Sequence, residues 1–247
     1  LNNVQIQGEL LKQNLTNIII DESPIVEDIA PGNNGSFKWF SGLWYQSKKP
    51  SMKLYSSVDG VLKIKLGGNL VSTPRDFSRG KLPVIPGAKA FYVEFIISLS
   101  TNHVDHFPAV WLMPIEHGKN TDKYKNDPDN YQRWFEFDID EQFGEGTTGT
   151  VHSWTGIYPN YNNKQNNNNN RSIPGFDRTL KHKFSGLYDP VTNKCFWWVD
   201  DKFSHYAGFP YVPEISKLQN YYLILSNQTH GENIDYDMFV HNVRVYV

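Results

Sequence analysis

A chain of 247 residues is long enough for one large domain with a sizeable core. No Pro/Gly/Ser-rich linker divides it, so residues 1–247 are read as a single domain, with 1–35 as an N-terminal arm or outer strands. Twenty-four basic residues against 26 acidic ones leave a net charge of −2, which gives no electrostatic case for nucleic acid or an anionic membrane surface. No apolar run approaches the ~20 residues of a membrane span, and a single cysteine, Cys195, excludes an internal disulfide and any Cys-based metal cluster.

Helical periodicity is almost absent, and short runs rich in β-branched and aromatic residues recur between turn signals. "MKLYSSV" leads through Asp59-Gly60 into "VLKIKL", a hairpin signal. "AFYVEFIISL", "AVWLM", "WFEFDI", "TGTVHSW", "KCFWWVDDKF", "YYLIL" and "VRVYV" continue the series. Spaced strands with polar turns and no intervening helices predict an all-β sandwich of two antiparallel sheets. Two polar stretches interrupt them. Residues 116–130 ("EHGKNTDKYKNDPDN") read as an insertion, and the low-complexity 160–171 ("NYNNKQNNNNNR") reads as an exposed, mobile loop. Both flank the acidic strand in sequence, where they could rim a cleft. Sequons at Asn14, Asn34, Asn170 and Asn227 read as coincidence in an Asn-rich chain. Cys195, inside "KCFWWV", reads as a buried small apolar residue.

The stretch "WFEFDIDEQFG" crowds Glu136, Asp138, Asp140 and Glu141 among aromatic and aliphatic residues. Alternate residues of a strand share a face. Phe135, Phe137 and Ile139 then point into the core, and Trp134, Glu136 and Asp138 point outward. Strict alternation would bury Glu141 beside Phe137, where an unpaired carboxylate is costly. One extra residue near Ile139–Asp140, a β-bulge, turns Glu141 onto the face of Glu136 and Asp138. Glu136 and Glu141 are then about four strand steps apart, roughly 13 Å between backbones. Side chains leaning together would leave their carboxyl groups roughly 5 to 6 Å apart. That matches the separation at which one carboxylate attacks a sugar carbon while the other protonates the leaving oxygen. Asp138, between them, is expected to hold a proton and share it with Glu136, which stays anionic, while the remaining repulsion raises Glu141. The same row could bind calcium, or be a solvated acidic face. The interleaved rings favour the catalytic reading, because sugar faces stack on aromatic side chains.

The motif "EFDIDE" resembles the Glu-x-Asp-x-x-Glu signature of glycoside hydrolase family 16 in its bulged form. Other landmarks follow in order: "SVDGVLKIKL", "DFSRGKL", "FPAVWLMP", "GTVHSW", "CFWWVDDKF" and "MFVHNVRVYV". Together they span about residues 50 to 247. The resemblance implies a β-jelly-roll sandwich with a concave substrate cleft, and retaining endo-hydrolysis of a β-linked polysaccharide, most directly a β-1,3-glucan or related glucan. It implies Glu136 as nucleophile, Asp138 as its electrostatic partner and Glu141 as general acid/base. It places His152 beside the acids, together with Trp154 on the same strand face. Trp111 and Trp134 are candidate sugar platforms, and Arg79, in "DFSRGKL", is a further substrate-binding candidate. The implied location is secreted or at the cell surface. The opening "LNNVQIQGEL" is no signal peptide, but a processed secreted chain would read the same way.

Where the family often carries Asp in its closing strand, near a structural calcium, this chain has His241, so no metal is expected; nor is any cofactor or protein partner. "FYVEFIISL" keeps Glu94 but lacks the family's usual basic residues there, and "LYDP" replaces the usual Trp motif before the hairpin at Lys194. Two alternatives stand beside the glucanase reading. One is a β-galactan hydrolase acting on agar- or carrageenan-like chains. The other is a carbohydrate-binding sandwich without catalysis, against which the retention of all three acids weighs.

Overall fold

The computed structural model describes residues 9–12, 19–21, 38–46, 50–72, 84–118, 121–124, 127, 131–166, 171–173, 175–231 and 234–247. Arg79 and the sequon residues Asn14, Asn34 and Asn170 lie outside these. In chain order the strands are β1 (Glu9–Lys12), β2 (Ile19–Asp21), β3 (Lys38–Ser41), β4 (Tyr55–Val58), β5 (Val61–Lys65), β6 (Asn69–Val71), β7 (Ile85–Pro86), β8 (Phe91–Leu99) and β9 (His106–Pro114). They continue as β10 (Gln132–Phe143), β11 (Gly146–Ile157), β12 (Asn160–Gln165), β13 (Arg171–Ser172), β14 (His182–Asp189), β15 (Lys194–Val199), β16 (Lys202–Ala207), β17 (Asn220–Thr229) and β18 (Asp237–Tyr246). One short helix, α1 (Ile115–Gly118), follows β9.

These strands form two sheets stacked as a β-jelly-roll sandwich. The first runs β16-β15-β14-β8-β18-β5-β4, with β1 added on β18. The second runs β12-β11-β10-β9-β17-β6-β3-β2, with β13 on β11 and β7 on β17. The pairings are antiparallel apart from β2 with β3, which is parallel. The β4–β5 hairpin closes on Asp59 and Gly60 at φ 51° and 78°, the positive-φ pair that an Asp-Gly turn is suited to supply.

The core lies between the sheets. Phe137 is flanked within its sheet by Leu112 and Val151, and meets Phe91 and Trp197 from the facing sheet. Large rings fill this layer because the sheets leave a gap of about 10 Å that side chains from both must close. Two glycines let the sheets approach around β10. A Cβ on Gly186 of β14 would lie 2.4 Å from Ile139 Cδ1, and one on Gly149 of β11 would lie 2.2 Å from the Trp197 ring. Trp197 also donates through Nε1 to the carbonyl of Asp138 at 2.8 Å, which ties β15 to the middle of β10.

The stretch 160–171 differs from its expected loop. Asn160–Gln165 form β12, an edge strand in full antiparallel register with β11. Asparagine is a poor strand former, but an edge strand needs only its backbone ladder, and its polar side chains can stay on the surface. Residues 171–172 add the short β13, and 167–170 lie outside the described residues. Within 116–130, Asp122 is buried and accepts from His117 and Gln132. Asn227 is fully buried and donates to Ile64 O at 2.8 Å, a structural position rather than a glycan acceptor.

Filling the space at Gly186 presses on Ile139 and Phe137 together. A Gly186→Ala variant is expected to lose about 1–3 kcal/mol, the usual cost of overpacking, read by urea denaturation.

Candidate active site

The site is built by a register shift. β10 pairs with β11 in regular steps from Gln132↔Gly156 to Asp138↔Thr150, and resumes at Glu141↔Thr148. Against β9, Asp138 faces Trp111 and Asp140 already faces Val110. Ile139 and Asp140 are thus absorbed as a bulge, at the position that the costly burial of Glu141 required. Ile139 fills the space over Gly186. Asp140 is fully buried, accepts from Gln142 Nε2 at 2.9 Å and from the Thr147 hydroxyl, and lies in the field of Arg178. Glu141 emerges on the outer face, beside Thr148, Thr150 and His152.

Glu136, Asp138 and Glu141 therefore share the outer face of the second sheet, backed by the aromatic core. Glu136 accepts from Trp154 Nε1 at 2.7 Å. His152 lies across the strand pair from Glu136, with Nε2 3.3 Å from Asp138 Oδ2. Asn163 Nδ2 lies 2.8 Å from His152 Nδ1 and braces the ring from the edge strand. Trp154, stacked 5.8 Å from His152, completes this side.

Burial and crowding shift all three acids upward. Burial, then the neighbouring Asp138, pushes Glu136 to about 7, while His152 and the Trp154 N–H pull the other way. Burial drives Asp138 well above the carboxylate range. Glu141 is also raised well above it, by burial first and then by the charges of Asp138 and Glu136. Donor atoms of Glu136, Asp138 and His152 lie within 4.8 Å of one another. Two carboxylates and an imidazole are few ligands for calcium, which takes six to eight oxygens. In addition, Trp154 and Asn163 already engage Glu136 and His152.

On the Glu136 side the rings form a wall. Trp134 is only 5% exposed, stacked 3.7 Å from His117 and 5.6 Å from Trp154, so it supports Trp154 and leaves little face for a sugar. Trp111 is half-buried, donates to Ser226 Oγ at 3.1 Å and meets Trp44 edge-on. Trp44 and Tyr45, after β3, were not singled out in the sequence. Tyr45 is 63% exposed and close enough to Glu136 for that charge to raise its hydroxyl pKa. Asn163 was hidden in the Asn-rich run. Nothing local marks these residues, because loop and edge-strand packing brings Trp44 to Trp111, Tyr45 near Glu136 and Asn163 to His152. On the Glu141 side lies a cavity of about 460 Å³, lined by Phe107, Phe143, Thr148, Gln165 and His230 among others.

No protein-family model matches the chain, and no curated protein matches it in sequence. Solved structures share its fold. The κ-carrageenase of Pseudoalteromonas carrageenovora, in complex with a κ-carrageenan oligosaccharide, superposes with a TM-score of 0.60 at 15% identity, over 100% of this chain and 98% of that one. The laminarinase of Rhodothermus marinus gives 0.57 at 17% identity, over 98% of both chains. A structure connected with endo-acting O-glycanases, with which human gut microbes initiate mucin breakdown, gives 0.54 at 17% identity, over 96% of this chain and 98% of that one.

The raised Glu136 gives a stability signature. Its folded pKa of about 7 exceeds the ordinary 4.5, so the folded state holds the proton more tightly than the unfolded one. Stability from this group is intact below about pH 4.5 and lost as pH rises through about 7. Glu136→Gln keeps an acceptor for Trp154 and removes the charge. The variant is expected to be more stable than wild type at pH 8, by at most about 3 kcal/mol, with the difference vanishing by pH 4. Thermal melts across that range measure it.

Proposed function

We propose that the chain is a retaining endo-β-glycanase that hydrolyses a neutral β-linked polysaccharide, most directly a β-1,3-glucan or related glucan, outside the cell or at its surface. The observation that carries this reading is the row Glu136, Asp138 and Glu141, brought onto one outer face by the bulge. The likeness in fold to a laminarinase and a carrageenase supports the substrate class.

In this mechanism Glu136 attacks the anomeric carbon as a carboxylate. Its 2.7 Å bond from Trp154 orients it and favours its anion. Glu141, held protonated by burial and by its two acidic neighbours, gives its proton to the leaving oxygen. The bond from the anomeric carbon to that oxygen breaks as the bond to Glu136 forms. Glu141, now a base, then takes a proton from water, whose oxygen displaces Glu136 with net retention. Asp138, raised above the ordinary carboxylate range by burial, keeps its proton beside Glu136, with His152 Nε2 3.3 Å from its Oδ2. The aromatic wall and the cavity at opposite ends of the row suit a chain that crosses it, hence endo action.

A galactan hydrolase is the second reading, favoured by the fold likeness to the carrageenase. A sulfated chain asks for cations, and no Lys or Arg lines the cavity beside Glu141 among the described residues. This supports the neutral glucan. A β-glucan and algal galactan panel with product-size analysis decides between them, and release of oligomers from the glucans alone is expected.

Glu141→Gln is expected to lose about 10²–10⁴-fold in kcat. Glu136→Gln is expected to abolish turnover while binding persists, and a slow-leaving fluorinated glycoside should label Glu136 in the wild type. A label elsewhere overturns the nucleophile assignment. kcat/KM should fall below about pH 7, as Glu136 takes up its proton. Trp154→Phe, which removes the N–H that favours the anion, should move this limb to higher pH.

A further inference from the structure

β11 serves two faces. His152 and Trp154 turn toward the acids, and Ser153 and Thr155 turn to the other side of the sheet, where a cavity of about 660 Å³ opens. Its lining also includes Phe209, Pro210 and Ile215 from the segment between β16 and β17. Its polar groups are fixed in advance. Arg133, across from Thr155, donates from Nε to both carboxylate oxygens of Asp127 at 2.8 and 3.0 Å, with Nη2 also 2.8 Å from Oδ1. The guanidinium packs over the Tyr131 ring at 5.0 Å. Lys164 of β12 and Glu214 add one charge of each sign, so the lining balances. Phe209 is 93% exposed at its rim.

We infer that this cavity is a second carbohydrate site, which holds a segment of a neutral polysaccharide away from the acids. The chemistry is specific to that ligand class. A charge-balanced lining offers no net attraction to an anion or a cation. Arg133, oriented by the nearly buried Asp127, keeps an exposed guanidinium edge whose remaining N–H groups can donate to neighbouring hydroxyl groups. An exposed ring at the rim accepts the C–H face of a pyranose. A site of this kind raises the local concentration of polymer and improves action on long chains through effective concentration, with no new contact at the acids. The inference rests on the glycanase reading for its choice of ligand.

The test uses the full chain and two variants outside the acidic row. Phe209→Ala removes an exposed ring, and Arg133→Met keeps the aliphatic stem while removing the fork. Affinity electrophoresis in gels containing laminarin or mixed-linkage β-glucan is run beside hydrolysis of the same polymers and of laminaripentaose. The expected result is a fivefold or greater loss of retention in both variants, with a matching rise in KM on polymer and unchanged kcat/KM on the pentaose. Retention and polymer KM equal to wild type in Phe209→Ala, with the polymer still hydrolysed, overturn the second site and leave the glycanase reading standing. Retention that depends on Phe209 without hydrolysis of any glycan supports the second site and overturns the glycanase reading. A wild type that neither binds nor cuts these glucans overturns this inference together with the glucan assignment.

Discussion

One extra residue in β10 organises the rest of the site. Without it, Glu141 would point between the sheets into a layer of Phe, Trp and Val, where an unpaired carboxylate costs several kcal/mol. With it, Ile139 and Asp140 are taken up on the inner side and three acids line the outer one. The bulge needs accommodation of its own. Ile139 fits because position 186 carries no side chain, and Asp140 is tolerated because Thr147, Gln142 and the field of Arg178 compensate it. Trp197 holds the backbone at Asp138 from the facing sheet. The kink is therefore built into the sandwich, and it cannot relax without disturbing both sheets.

The electrostatics follow from this geometry. Three carboxylates on a dry, aromatic-backed surface cannot all ionise, and all three rise. The differences among them come from neighbours. Glu136 has the indole N–H and the nearby imidazole, while Glu141 has two acidic neighbours and only His152 in compensation. Such a site costs the fold stability at neutral pH, a cost that functional sites commonly carry. The second sheet then has two working sides at one strand. β11 offers alternate residues to the acids and to the polar cavity behind them.

Much of this was legible in the residues. Strand alternation, the Asp-Gly hairpin and the absence of helical periodicity implied the sandwich, because burial patterns repeat every two residues wherever one face is packed. The misplaced parity of Glu141 implied the bulge. Other features were not legible. The Asn-rich run read as a loop because composition reports propensity, whereas an edge strand is stabilised by its partner's backbone. Trp134 read as a sugar platform because alternation states the face of a residue and not what covers it; His117, from α1 after β9, occupies the place where a ligand would stack.

The residue order was therefore sufficient for what depends on neighbours along the chain: strands, faces, the bulge and the row of acids. Folding settled what depends on residues far apart in sequence meeting in space. That includes the contact of Asn163, from the edge strand, with His152, the shielding of Trp134, the approach of Tyr45 to Glu136, and the cavity rimmed by Phe209. The division has a physical basis. Alternation and bulging are local properties of the backbone, whereas ring contacts, burial and cavity shape are fixed by side chains that only packing brings together.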